Sequence, residues 1–299
     1  MMKTRQFLSG MDRPIRSAGS VPAFAAAILF LLSSEAALAL ATDWATTKGG
    51  RMRLVIDPAA NAQGITRGVL EIDLEPGWKT YWIDPGGSGV PPQITLDHST
   101  GIELEALRLP APRQVDDGYS VWAGYTQPVA FGLEFSRQGA AQLEADIFVG
   151  ICEKICIPFQ THFSLAIPAA ANSAASAGDS ALVAATFRAL PSAPQADFKV
   201  QSLRYQAGAG EKGAGQLHVV ARLPEFRPGA AAPDLFIASG EGWIFGAAQL
   251  LGDDGEEARF SVPVIRQPDN PETAKNGFYT VLSIGRRAVE TTVSLTPGG

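Results

Sequence analysis

The chain has 299 residues, with 24 basic and 30 acidic side chains and a formal net charge of −6. This acidic balance argues against nucleic-acid binding, because recognition of phosphates needs a basic surface. The length is sufficient for two domains of ordinary size behind an N-terminal leader.

Residues 1–41 have the pattern of a secretory signal peptide. Positive charges open the segment, supplied by Lys3, Arg5, Arg13 and Arg16. An apolar run follows at 21–32, and small residues suited to signal cleavage lie at 37–39 and 39–41. The apolar run is shorter than the roughly 20 residues that span a bilayer. We therefore expect export, cleavage and a soluble mature protein with a net charge of −8, in preference to an uncleaved membrane anchor.

The region 42–168 predicts a sandwich of short β-strands. Apolar and polar residues alternate in whole or part at 51–57, 68–74, 102–109, 129–135 and 142–149. This period of two is typical of half-buried strands. Gly- and Pro-rich turn signals separate the segments, notably at 75–77 and 84–89. Many short strands with such turns between them indicate an all-β sandwich.

A change of composition at residue 169 predicts a linker, 169–197, and then a second domain. The linker is rich in Ala, Ser and Pro and contains a helical pattern at 180–190. Strand patterns return at 198–205, 216–223, 258–264 and 277–284. We therefore predict a second all-β domain over 198–299.

Cys152 and Cys156 are the only two cysteines, and in an exported chain such a pair is expected to form a disulfide. Closing so small a ring contributes only about 2 kcal/mol in the chain-entropy model, against about 4.7 kcal/mol for a 100-residue loop. The bridge is therefore better suited to chemistry than to stability. An inert surface disulfide is the alternative.

The spacing of the pair constrains its local structure. In an extended strand the two Cα atoms would lie about 13 Å apart, beyond the roughly 7 Å limit for a disulfide. We expect a strand that ends near Gly150, a tight turn that exposes both sulfurs, and a strand that resumes after Pro158. Lys154 within the turn favours a thiolate, and Glu153 opposes it.

Five ordered motifs carry a resemblance to a known family. They lie at 77–86 (GWKTYWIDPG), 88–92 (SGVPP), 112–113 (PR), 124–125 (GY) and 152–158 (CEKICIP). Residues 50–167 resemble the N-terminal domain of the DsbD-type thiol:disulfide interchange proteins, in their ScsB-like (suppressor of copper sensitivity) branch. The region after 195 resembles the second β domain of the ScsB-like proteins, with weaker motifs.

The resemblance implies immunoglobulin-like sandwiches in the periplasm, with a catalytic Cys152–Cys156 pair of the protein-disulfide reductase type and no cofactor. Its partners would be a membrane thiol carrier and periplasmic thioredoxin-like proteins. In the family a cap loop with an aromatic residue shields the pair, which here implies Asp117 and Tyr119, with Tyr81 as a neighbour. DsbD and ScsB continue into membrane and thioredoxin-like domains, so this chain is expected to need a separate reductant.

Two readings without catalysis stay open. The cysteines could bind copper(I), since thiolates are soft ligands, with His162 as a third ligand. Alternatively, the chain could be an immunoglobulin-like interaction module with a structural disulfide. Hydrolase, dinucleotide and P-loop motifs are absent from the sequence.

Overall fold

A computed structural model gives the fold. It describes residues 40–86, 89–116, 118, 120–169, 177–208, 215–224, 232–238, 242–268 and 277–296. The predicted leader therefore lies almost wholly outside the described residues. No helix in the described ranges is long and apolar enough to cross a membrane.

Ten strands build the first sandwich, up to residue 167. They are β1 (Ala45–Thr47), β2 (Gly50–Ala60), β3 (Thr66–Leu74), β4 (Thr80–Tyr81), β5 (Gln93–Thr95), β6 (Thr100–Arg108), β7 (Arg113–Asp116), β8 (Val121–Tyr125), β9 (Val129–Cys152) and β10 (Cys156–Ile167). The main sheet has the order β1-β2-β3-β9-β10, and β5 and β6 also pair with β9. A small sheet, β4-β8-β7, lies beside it.

The long strand β9 organises this sandwich. Sequence patterning predicted two strands, at 129–135 and 142–149, but the chain is one continuous strand over both. Its first part pairs with β3 and β6, and its second part pairs with β5 and β10. Alternate apolar side chains along β9 are buried in one core, which explains why a 24-residue strand is stable.

One helix follows the first sandwich, α1 (Ala177–Ala189), close to the predicted 180–190. It packs on the sandwich rather than standing apart from it. Val183 is 2% exposed and contacts the buried side chains of Val55 and Val69.

Eight strands follow the helix. They are β11 (Lys199–Gln206), β12 (Gln216–Arg222), β13 (Asp234–Ala238), β14 (Ile244–Phe245), β15 (Gln249–Asp253), β16 (Glu257–Arg266), β17 (Phe278–Ile284) and β18 (Arg287–Val293). One sheet has the order β11-β12-β16-β14, with β15 also on β16, and the other has the order β13-β17-β18. Trp243, Phe245 and Phe278 pack ring against ring in the core between them. The all-β fold class is therefore confirmed.

The two sandwiches share an apolar contact centred on Trp82. Its indole stacks on the Tyr279 ring at a centroid distance of 6.0 Å and meets Phe236 edge-on at 5.9 Å. Arg108 of the first sandwich also forms an ion pair with Glu290 of the second. The contact explains why the residues from 40 onward form one compact unit.

The charges of the small sheet also act on β13. Burial raises the pKa of Asp234, and the positive charge of Arg113 on β7 partly opposes that shift. Beside these contacts the sandwiches diverge, which leaves a cleft of about 450 Å³ between β8 and the second sandwich.

Candidate functional site

The β9–β10 hairpin brings the two cysteines together. Cys152 and Cys156 are direct partners across the ladder, 4.1 Å apart at Cα, and form a disulfide. The expected turn between them is present, but the strands run further than predicted, since β9 ends at Cys152 and β10 begins at Cys156. Pro158 is accommodated because β10 is an edge strand, where a missing N–H can face outward.

The two sulfur-bearing residues differ sharply in exposure. Cys152 is 1% exposed and lies in a small cluster with Tyr81 and Trp122, against which Val115 packs. Cys156 is exposed at the start of β10. The expectation that the turn exposes both cysteines was therefore wrong for Cys152, because the small sheet covers it.

Tyr81 contacts the exposed cysteine from the small sheet. Its hydroxyl lies 3.4 Å from the Cys156 Sγ, within hydrogen-bonding distance for sulfur. The ring fits in a slot between two glycines. A Cβ at Gly89, where φ is +109°, would lie 2.6 Å from the ring, and one at Gly150 would lie 3.3 Å from it. Larger residues at these positions would displace Tyr81 from the sulfur.

The β7–β8 hairpin lies over the buried cysteine. Asp117 and Tyr119, the cap residues implied by the family resemblance, lie outside the described residues. Trp122 on β8 packs edge-on against Tyr81, with ring centroids 5.5 Å apart. Sequence analysis placed the cap at Asp117 and Tyr119 but missed Trp122, although a large apolar residue so close to them could have suggested a contact with the disulfide.

Lys79 pairs with the buried cysteine through its backbone and reaches the Trp122 ring with its side chain. The backbone of Lys79 exchanges two hydrogen bonds with Cys152, at 2.8 and 2.9 Å, and its Nζ lies 4.5 Å from the centroid of the Trp122 ring. Lys154 and Glu153 are both exposed in the turn. Sequence analysis considered this turn pair but not Lys79, whose position depends on the pairing of distant segments.

His162 is not brought to the cysteines. It follows Cys156 by six residues on the continuous strand β10, which separates them by roughly 20 Å. Its ring nitrogens lie 3.0 Å from Asp146 Oδ1 and 2.9 Å from Glu144 Oε2. Among the described residues, no three His, Cys, Asp or Glu side chains are grouped as a metal site would need.

The position of His162 makes a pH-dependent contribution to stability. Its hydrogen bonds, to Asp146 first and then to Glu144, raise the pKa of His162 above the ordinary value of about 6.5. Because its folded-state pKa is raised, protonated His162 stabilises the fold fully below about pH 6.5, the unfolded-state pKa. This stabilisation is lost as the pH rises through the higher folded-state pKa. We expect His162→Gln to lower the free energy of unfolding more at pH 6 than at pH 8.5.

An NMR titration of the His162 ring would check this prediction directly. The midpoint should lie above 6.5 and fall in Asp146→Asn, which removes the charge that accepts the first hydrogen bond. A wild-type midpoint at or below 6.5 would contradict the prediction.

Comparisons with known proteins match both the site region and the fold. Residues 53–168 match the family model of the N-terminal domain of the thiol:disulfide interchange protein DsbD. The crystal structure of the N-terminal periplasmic domain of ScsB from Proteus mirabilis superposes with a TM-score of 0.65 at 20% identity. That superposition covers 87% of this chain and 100% of the ScsB domain, so the likeness in fold extends beyond the first sandwich. A comparison with curated proteins finds no match.

Proposed function

Because residues 53–168 form a DsbD N-terminal-like domain, we propose that the protein is a thiol–disulfide exchange protein that passes electrons through Cys152 and Cys156. One observation carries the proposal: the disulfide has one exposed end, at Cys156, and one end buried at 1% exposure, at Cys152. Access decides which sulfur of a disulfide is attacked. The exposed Cys156 is therefore the entry point for a partner.

The exchange proceeds in two balanced steps. A thiolate of a reduced partner attacks Cys156 Sγ, which forms a mixed disulfide and releases Cys152 as a thiolate that takes up a proton. The partner's second thiolate then attacks the partner's first sulfur in the mixed disulfide. The partner's internal disulfide forms, and Cys156 leaves as a thiolate. Two electrons have moved from the partner to the pair, and the same steps in reverse reduce a downstream disulfide.

The surroundings of the pair favour the thiolate forms that these steps produce. The Tyr81 hydroxyl can donate a hydrogen bond to Cys156 when its sulfur becomes negative. Lys79 places a cation beside Trp122, in the cluster that holds Cys152. A donor and a nearby cation both lower thiol pKa values and favour exchange near neutral pH.

The proposed compartment is the periplasm, and the proposed partners are a membrane thiol carrier and thioredoxin-like proteins. A secretory leader is removed in the mature protein, and the contacts of Leu40 favour one of the two cleavage sites. Leu40 is 1% exposed and its carbonyl accepts a hydrogen bond from the Ile56 N–H. Cleavage after residue 39 keeps these contacts, whereas cleavage after residue 41 removes them.

The reduction potential of the Cys152–Cys156 pair tests the proposal. We expect a value above about −300 mV, in the range of labile rather than structural disulfides. The folded protein would be equilibrated in dithiothreitol or glutathione buffers of known potential, alkylated, and measured by mass.

A bridge that resists reduction while the protein is folded would overturn the exchange function and favour the interaction module with a structural disulfide. Copper(I) binding has only the two sulfurs in its favour, because His162 lies far along β10. Titration of the reduced protein with copper(I), in wild type and in His162→Gln, would measure any such binding.

A further inference from the structure

The backbone around Tyr81 is held on both edges of a short strand. Strand β4 has two residues, Thr80 and Tyr81, which pair with Tyr125 and Gly124 of β8. On the other edge the Lys79 backbone exchanges two hydrogen bonds with Cys152. These bonds fix the path of the backbone, whereas side-chain packing on both faces determines where the Tyr81 hydroxyl lies.

The next residue, Trp82, faces the second sandwich. Successive side chains of an extended segment point to opposite sides, so Trp82 points away when Tyr81 points at the disulfide. Trp82 is 1% exposed, and its backbone N–H donates to the Ala123 carbonyl at 3.1 Å. Its indole stacks on Tyr279, with an angle of 28° between the ring planes.

Tyr279 is itself held from both sandwiches. Its hydroxyl donates a hydrogen bond to Glu290, which pairs with Arg108 of the first sandwich. Burial is the first cause that raises the pKa of Tyr279, and the hydrogen bond to Glu290 is the second. The Tyr279 ring is thus fixed by packing, by its hydrogen bond to Glu290, and by the ion pair of Glu290 with Arg108.

We propose that Trp82 and Tyr279 are positioning residues for the redox pair: the second sandwich fixes Tyr81 against Cys156 Sγ through Trp82. The glycine slot holds Tyr81 on one face of β4, and the Tyr279 ring holds Trp82 on the other. The proposal rests on the exchange function proposed above and gives the second sandwich a role in it.

The test is the thiol pKa of Cys156 in the reduced protein. Loss of the ring in Tyr279→Ala lets the side chains of Trp82 and Tyr81 shift, weakens the hydrogen bond from Tyr81 to the thiolate, and raises this pKa by about one unit. At a pH below the Cys156 pKa of both wild type and variant, alkylation of Cys156 by iodoacetamide is then about threefold slower in the variant. The smaller fraction of thiolate outweighs the higher nucleophilicity of each thiolate. Trypsin cleaves after Lys154, so the two cysteines are counted on separate peptides.

Four variants separate positioning from a merely structural effect. Tyr81→Phe should raise the Cys156 pKa as Tyr279→Ala does, and the double variant should raise it no further, because both act through one hydrogen bond. Tyr279→Phe keeps the stacked ring but loses the hydrogen bond to Glu290, so it should raise the Cys156 pKa less than Tyr279→Ala does. Tyr205→Ala is the matched control, since Tyr205 packs on Trp243 within the second sandwich, away from Trp82.

Two results would overturn the inference: an unchanged Cys156 pKa in folded Tyr279→Ala, or a shift that adds to that of Tyr81→Phe. If Tyr279→Ala fails to fold, Tyr279→Leu keeps apolar volume, lacks the ring, and carries the same test. Exchange between the wild-type pair and glutathione is measured in parallel. If the wild-type pair exchanges with glutathione but the Cys156 pKa does not respond to Tyr279→Ala, only the positioning role is rejected. If the wild-type pair does not exchange with glutathione, the proposed function is rejected.

Discussion

Cys152→Ser should accumulate as a mixed disulfide with a thioredoxin-fold partner, whereas Cys156→Ser should form none. In the first variant the exposed Cys156 thiolate still attacks the sulfur of a partner that keeps a single cysteine, and neither Cys152 nor a second partner cysteine is left to break the bond. In the second variant the remaining thiol is 1% exposed and cannot reach a partner. Turnover should fall to the uncatalysed rate in both, since exchange needs two sulfurs.

Non-reducing mass spectrometry measures both outcomes after incubation with a single-cysteine thioredoxin whose thiol is first capped as a mixed disulfide with thionitrobenzoate, the leaving group of the step. His162→Gln is the control, because His162 lies along the same strand but roughly 20 Å from Cys156, and it should exchange at the wild-type rate. If Cys156→Ser were the variant that traps the partner, our assignment of the attacking sulfur would be wrong. Normal exchange by both variants would reject the mechanism.

Trp82→Ala should lower the free energy of unfolding by about 3–5 kcal/mol, the usual cost of truncating a buried tryptophan. The indole fills the contact between the sandwiches, against Phe236 and Tyr279. Its removal leaves a cavity that two rigid sheets cannot close. Denaturant unfolding followed by far-UV circular dichroism gives the value.

Trp44→Ala is the matched control for this substitution. Trp44 is partly exposed and lies against the guanidinium groups of Arg51 and Arg53, a surface contact worth about 0.5–1 kcal/mol. A loss below about 1 kcal/mol in Trp82→Ala would mean that the contact between the sandwiches contributes little to stability.

The sequence predicted the longer strands well because their signal is local. Because one face of each is buried, apolar and polar residues alternate along β2, β3, β6, β12 and β16. β9 was divided in two because the stretch 136–141 lacks apolar side chains except alanine. There the strand continues past Gly139, where φ is +70°, through pairing with β6 and β10, which a local pattern does not contain.

The short strands of the small sheet were missed for a related reason. β4 has two residues, and its existence depends on β8, more than 40 positions later in the chain. Trp82 and Trp243 also look alike in sequence, since each is followed by isoleucine and has glycine nearby. One joins the two sandwiches and the other lies in the core of the second.

The sequence by itself determined that Cys152 and Cys156 need a turn to bridge, because spacing and chain geometry limit how far four residues can reach. It also determined the all-β class, through the period of its apolar residues. Only the tertiary structure decided which sulfur is exposed, that Tyr81 contacts it, and that His162 does not. Those facts depend on which distant strands pair, and pairing is set by the burial of the whole sheet rather than by any one segment.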